Sequence, residues 1–302
     1  MAVAPRTLVT GATGFTGRHL VRALRADGHE VFATGASPDA GFEDGVAYRP
    51  ADLMDEEALR GLVAEARPTN VVHLAAIAFV AEGDAEAYYR TNVIGTRRLL
   101  EALVAEAGDA ACVLVASSAN VYGAGEGTPL AETSPVRPAN DYGVSKVAME
   151  HLCRTYADRL PIVLVRPFNY TGVGQSERFL VPKIVAHFAR RAETISLGNT
   201  DVRRDFSDVR DVVDAYRRLL AVAPVGETLN VCSGVDRSLD DVIAICRDVT
   251  GHDIRVEVDP RFVRARDIPV LVGDRTRLSS VLGGFDPRPI EETIAWMLGT
   301  AA

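Results

Sequence analysis

In the stretch Tyr142-Gly143-Val144-Ser145-Lys146 a phenol and an ammonium group stand four residues apart. If the segment is helical, that spacing stacks the two side chains on one face, one turn from each other. A phenol by itself is a poor acid or base at neutral pH, its reference pKa being ~10. An ammonium group on the next turn favours the phenolate and brings the pKa toward the working range, as proton transfer to or from a substrate hydroxyl requires. A tyrosine and a lysine at this spacing are also what an ordinary solvated helix face carries. The chemistry therefore depends on whether the rest of the chain supplies a cofactor and a substrate.

The first positioning element lies at the start of the chain. Residues 6–10 form a short β-branched run, followed by Gly11-Ala12-Thr13-Gly14-Phe15-Thr16-Gly17 and a helical pattern over 19–26. Strand, glycine turn and helix in this order predict a dinucleotide site, because glycines let the backbone approach a pyrophosphate whose charge meets the free N–H groups of the helix start. Further strands are predicted at 30–34, 46–49, 70–76, 111–116 and 162–165, with helices between them, one of them running from Tyr142 to about Leu160. This alternation requires a parallel sheet, so the expected fold is α/β, a Rossmann-type doubly wound parallel sheet whose strand ends form one crevice. After Gln175 the elements become shorter, and Ser238 with Asp241 marks a box-like helix start. A smaller mixed α/β C-terminal substrate cap is expected: 1–167 as the dinucleotide-binding domain, 208–234 returning to it, and 168–207 with 235–302 as the cap. No repeat and no Gly-, Ser- or charge-rich linker separates the two.

Composition narrows the class. Forty-one acidic against 33 basic residues leave a formal charge of -8, which argues against general nucleic-acid binding. The four cysteines, at 112, 153, 232 and 246, lack a C-x-x-C pair and fall in apolar segments, and the six histidines lack ligand spacing, so no metal is expected. The longest apolar run, 71–81, is interrupted by His73 and too short to span a bilayer, and no signal pattern precedes the first strand. A cytoplasmic protein without membrane partner is expected, with His73 packed in its strand.

Several motifs then recur in one order: G-x-x-G-x-x-G at 11–17, N-V-x-G-T at 92–96, S-S-x-x-V-Y-G at 117–123, Y-x-x-x-K at 142–146, R-P-F-N at 166–169 and R-D-F at 204–206. Over nearly the whole chain this order resembles the extended branch of the short-chain dehydrogenase/reductase superfamily, the NAD-dependent epimerases and dehydratases of nucleotide sugars. It most resembles the GDP-4-keto-6-deoxy-mannose reductases. The resemblance implies that Ser118, Tyr142 and Lys146 form the acid/base group beside the nicotinamide, with Lys146 also holding the nicotinamide ribose. It assigns Gly11, Thr13, Gly14, Phe15, Thr16, Gly17, Ser37, Asp52, Leu53, Leu74, Ala75, Ala76, Asn92 and Phe168 to the cofactor, together with Tyr142 and Lys146. Asp52 has a second reading as a helix cap ahead of Glu56 and Glu57. The second strand ends Thr34-Gly35-Ala36-Ser37 without the carboxylate that reads a free ribose 2′-hydroxyl, so NADPH is favoured, with NADH open.

On the substrate side the resemblance implies Ser118, Asn120, Asn169, Arg204 and Arg264, the arginines facing the diphosphate of a nucleotide sugar; each arginine has the alternative of an ion pair with a nearby aspartate. Arg266 is a weaker candidate than Arg264. Two positions depart from the pattern, Val173 where proline is usual and Asp141 where proline often precedes the tyrosine, and Asp141 is expected to point outward. Related dehydratases carry glutamate and related epimerase/reductases cysteine two residues after the serine; Asn120 does neither job. That leaves NAD(P)H-dependent reduction at C4 of a nucleotide-diphospho-4-keto-6-deoxyhexose, GDP-linked or dTDP-linked. The alternatives are an NAD-retaining C4-epimerase and, from another class, a dinucleotide-sensing binding protein. A homodimer through the helices at 87–107 and 142–160 is expected by the same resemblance. A Tyr142→Phe chain should bind dinucleotide yet turn substrate over poorly; near-normal turnover would remove the tyrosine from the mechanism.

Overall fold

The computed structural model describes residues 4–42, 45–78, 84–124, 129–262 and 268–301. Its first half alternates strand and helix: β1 (Arg6–Thr10), α1 (Phe15–Ala26), β2 (Glu30–Thr34), β3 (Ala47–Tyr48), α2 (Glu56–Ala66), β4 (Asn70–His73), α3 (Ala85–Tyr89), α4 (Thr96–Glu106), β5 (Cys112–Ala116), α5 (Asp141–Arg154) and β6 (Ile162–Pro167). The second half carries β7 (Asn169–Thr171), α6 (Leu180–Ala189), β8 (Thr194–Leu197), β9 (Arg203–Asp208), α7 (Val209–Val222), β10 (Thr228–Val231), β11 (Asp236–Ser238), α8 (Leu239–Thr250), β12 (Arg255–Val258), β13 (Val270–Leu271), α9 (Thr276–Leu282) and α10 (Ile290–Ala301).

Among the described residues the main sheet has seven strands in the order β10-β6-β5-β4-β1-β2-β3, all parallel. The chain reverses direction across the sheet between β1 and β4, so the crevice that such a switch opens lies at Thr10 and His73. Strand alternation sends neighbouring residues to opposite faces. Val9, Val72, Leu114 and Val163 pack with Leu20 and Leu24 of α1, Val212 and Leu219 of α7 and Leu278 of α9. Leu8, Val71, Val113 and Leu164 pack with Leu59 of α2, Leu103 of α4 and Met149 and Cys153 of α5. A third core, with Ile184, Phe188, Leu197, Phe206, Val242 and Ile294, sits among α6, α8, α10 and the small strands. The doubly wound parallel sheet and the smaller mixed α/β part are thus both present.

Local details differ from the sequence reading. The helix at 87–107 is continuous but widens into a π-helical turn over Arg90–Gly95, where the Thr96 hydroxyl donates to the Asn92 carbonyl at 2.7 Å. α5 stops at Arg154, short of Leu160, and its Asn140 side chain accepts from the Gly143 N–H at the start. The helix cap weighed for Asp52 belongs to Asp55, which accepts from the Ala58 N–H; Asp52 instead accepts from Met54 N at 2.9 Å. The expected Ser238–Asp241 capping box is formed.

β9 ties the two parts together. It pairs with β7, β11 and β13, and its fully buried Asp205 accepts from Ser233 N at 2.8 Å, Ser233 Oγ at 2.6 Å and Gly234 N at 2.8 Å, just beyond β10. Removing that carboxylate would leave several buried donors without an acceptor. Asp205→Ala is expected to lower unfolding free energy by ~2 kcal/mol or more, read from the urea midpoint; a midpoint unchanged from wild type would show that the junction does not depend on Asp205.

Candidate active site

At the glycine turn the backbone leaves no room for side chains. A Cβ on Gly17 would lie 2.3 Å from the Gly11 carbonyl oxygen and 2.6 Å from the Ala12 Cα. Thr13 packs against Gly35 at the end of β2, and Thr10 Oγ accepts from the Ala75 N–H at 3.2 Å, so the turn, the end of β2 and the Leu74-Ala75-Ala76 segment adjoin. α1 begins at Gly14 with neither a side-chain cap nor an acidic residue in its first turn. That is a helix start fit for a pyrophosphate. Ser37 is exposed and donates to the Asp39 carbonyl at 2.6 Å. Asp52 is exposed, whereas Leu53 is buried against Gly95.

His73 is packed in its strand with a hydroxyl at each ring nitrogen. Thr96 Oγ spends its proton on the Asn92 carbonyl, so its contact with His73 Nε2, at 2.9 Å, requires an Nε2–H donor. Nδ1 then accepts from Thr10 Oγ at 2.6 Å. Burial first, and the Lys146 charge second, hold the imidazole neutral, its pKa lowered to about 3. Asn92 is also buried; its side chain accepts from Ile77 N at 3.0 Å and donates to Ser145 Oγ at 3.0 Å, joining the segment after β4 to α5.

Ser118, Asn120, Tyr142 and Lys146 come together at the carboxyl end of β5. Asn120 Nδ2 donates to Ser118 Oγ at 3.1 Å, and the Ser118 hydroxyl lies near enough to Tyr142 to act on its acidity. Gly143 makes this approach possible, because a Cβ there would lie 2.7 Å from the Asn120 carbonyl oxygen. Tyr142 and Lys146 are 6% and 3% exposed, which removes the solvated-face reading. The Tyr142 pKa is raised to about 12, by burial foremost and by the phenols of Tyr170 and Tyr88, against the opposing influence of the Ser118 hydroxyl. Lys146 donates to the Ala116 carbonyl at 2.8 Å, and burial lowers its pKa to about 8 against the opposing influence of Cys153 and Glu150. In this arrangement burial, not the ammonium, sets the phenol's acidity, and a protonated Tyr142 is poised as an acid. Asp141 points outward, accepting from the Tyr89 hydroxyl at 2.8 Å.

On the other side of the crevice Phe168 is buried beside Tyr122, ring centroids 6.1 Å apart, and Asn169 is exposed at the start of β7. Arg204 is half-buried on β9 and donates to the Arg203 carbonyl at 2.9 Å. Arg264 and Arg266 fall outside the described residues. Sequence reasoning passed over Tyr170. Its hydroxyl meets Thr16 Oγ at 2.7 Å and its ring stacks on Phe15 at 6.0 Å, locking the glycine turn to the segment that follows β6. No local pattern announces a partner 154 residues away.

Residues 7–232 match the NAD dependent epimerase/dehydratase family. Among curated proteins the chain is 35% identical to the GDP-6-deoxy-D-talose 4-dehydrogenase of Aggregatibacter actinomycetemcomitans, over 92% of this chain and 91% of that one. It is 33% identical to the GDP-6-deoxy-D-mannose reductase of Pseudomonas aeruginosa, over 97% and 96%. Among solved structures, one described as a putative epimerase from Burkholderia cenocepacia J2315 superposes with a TM-score of 0.93 at 48% identity, covering 98% of each chain. With its glycine turn, its sheet order and the grouping of Ser118, Tyr142 and Lys146, this chain belongs to the NAD dependent epimerase/dehydratase family of extended short-chain dehydrogenases/reductases.

Proposed function

We propose that the chain reduces the C4 ketone of a nucleotide-diphospho-4-keto-6-deoxyhexose to a 6-deoxysugar nucleotide, the GDP-linked mannose derivative first and the dTDP-linked glucose derivative second. The observation that carries this is Asn120: the residue hydrogen-bonded to Ser118 beside Tyr142 is an amide. It is neither a proton-transferring acid nor a thiol, so the site has acid/base groups for one carbon only. The two curated relatives support the substrate class, being named for GDP-linked 6-deoxysugars that differ in configuration at C4.

In this reading residues 1–167 with 208–234 hold the cofactor, and 168–207 with 235–302 hold the nucleotide sugar. The glycine turn and the open start of α1 fit a dinucleotide, and β2 ends without a carboxylate to repel a 2′-phosphate, which favours NADPH over NADH. The nicotinamide supplies hydride to C4 when bound. Ser118 orients the substrate oxygen, and Tyr142, kept protonated by burial, gives that oxygen its proton as the carbonyl becomes an alcohol. Lys146 offsets the negative charge left on Tyr142 until solvent returns a proton. Asn169, Arg204 and Arg264 take the diphosphate side. A cytoplasmic homodimer joined through the helix at 87–107 and α5, which expose Ile94 and Val144, belongs to the same reading.

Offering NADPH or NADH with GDP- and dTDP-4-keto-6-deoxyhexoses should give stoichiometric loss of reduced-cofactor absorbance, fastest with the GDP sugar. The rate should fall as pH rises through about 8, where Lys146 loses the charge that it holds below that pH. No cofactor loss with any ketosugar, alongside C4 epimerisation without added cofactor, would replace this reading by the epimerase.

A further inference from the structure

α5 meets the end of β5 at three successive turns. Ser118 lies beside Tyr142, the Ala116 carbonyl accepts from Lys146, and Ser117 Oγ donates to Glu150 Oε1 at 2.6 Å. Glu150 follows Tyr142 by eight residues and therefore continues the same helix face. Its carboxylate is gripped from β6 by Arg166, Nε to Oε1 at 2.8 Å and Nη2 to Oε2 at 2.7 Å. Both residues are almost fully buried, at 2% and 3% exposure. Arg166 Nη1 also donates to the Tyr122 hydroxyl at 3.0 Å, and that hydroxyl donates to Asn230 Oδ1 at 2.7 Å. A buried ion pair is a poor device for stability, since desolvation offsets most of its attraction. This one sits where the strand carrying Ser118 must be held in register with the helix carrying Tyr142.

We propose that Glu150, held by Arg166, is a positioning residue for the acid/base group: it fixes residues 116–118 against α5 and supplies the negative charge behind Lys146. The proposal rests on the roles given above to Ser118, Tyr142 and Lys146. Lys146 faces Glu150 and Cys153 on its own helix, one turn on from Tyr142, neutral His73 on β4 and the Ala116 carbonyl on β5, with Arg166 of β6 and Arg154 of α5 both on Glu150. Glu150 is the carboxylate among these groups.

The two halves of the pair should move Lys146 in opposite directions. Glu150→Gln keeps the volume and an acceptor for Ser117, but it removes the negative charge and strands the guanidinium, so Lys146 should lose its proton at lower pH. Arg166→Gln leaves Glu150 with only the more exposed Arg154, whose Nη2 lies 3.4 Å from Oε2, so its negative charge is less compensated and Lys146 should hold its proton to higher pH. Each shift should reach about half a pH unit or more. Lysine labelled with 13C at Cε, with the Lys146 signal identified by its loss in Lys146→Arg, reports this in the substrate-free chain by NMR. Both variants should also lower kcat for ketosugar reduction ~10-fold or more, through misplacement of Ser118 against Tyr142, with the nucleotide-sugar KM within ~2-fold of wild type. Opposite shifts with a kcat-selective loss support the proposal. Shifts of one sign, no shift, or unchanged kcat overturn it. Should Arg166→Gln fail to fold, Glu150→Gln decides alone, and an unaltered Lys146 titration there overturns the proposal. A wild-type chain that reduces no ketosugar would refute the reductase reading only, because the titration needs no turnover.

Discussion

The structure depends on how α5 buries an ionisable face. A lysine and a glutamate inside a protein are tolerated only with partners, because an unpaired buried charge costs far more than any packing gain returns. Here the partners are the Ala116 carbonyl for Lys146 and the Ser117 hydroxyl and Arg166 for Glu150. These demands admit few positions of the helix on the sheet, and the position adopted brings Tyr142 to the strand end beside Ser118. Ser145 completes the seat, donating to the Tyr142 carbonyl at 2.7 Å while accepting from Asn92. The Tyr142 phenol is placed by its buried neighbours on the next two turns.

The same economy governs the switch between β1 and β4. His73 serves as a neutral strut between the hydroxyls of Thr10 and Thr96, linking the two strands to the π-helical turn. The turn in its place lets Asn92 face both Ile77 and Ser145. Close backbone approach does the rest: Gly17 against Gly11, and Gly143 against Asn120. A methyl group at either would push a backbone segment outward, one at the glycine turn and one beside the phenol.

The second, smaller part of the chain is joined through β9. Asp205 collects donors from beyond β10, while its neighbour Arg204 remains half-buried. The aspartate that sequence alone offers as Arg204's ion-pair partner is thus occupied by Ser233 and Gly234. Among the described residues no helix is long and apolar enough to cross a membrane.

Motifs whose meaning is local were legible from the chain alone. Strand, glycine turn and helix, the alternation through Ile162, the Ser238–Asp241 capping box and the Y-x-x-x-K spacing each involve residues close in sequence, and periodicity or backbone chemistry dictates what they form. Their order also carried the family. What required the tertiary structure were pairings between residues far apart. Glu150 with Arg166, Tyr170 with Thr16 and Asp205 with Ser233 have no signature, because a carboxylate's or hydroxyl's partner is chosen by packing. The tyrosine's ionisation belongs to the same group. A lysine four residues on predicts a more acidic phenol, but burial raises it to about 12, since removal from water acts on a buried side chain more strongly than an ammonium already committed to a carbonyl.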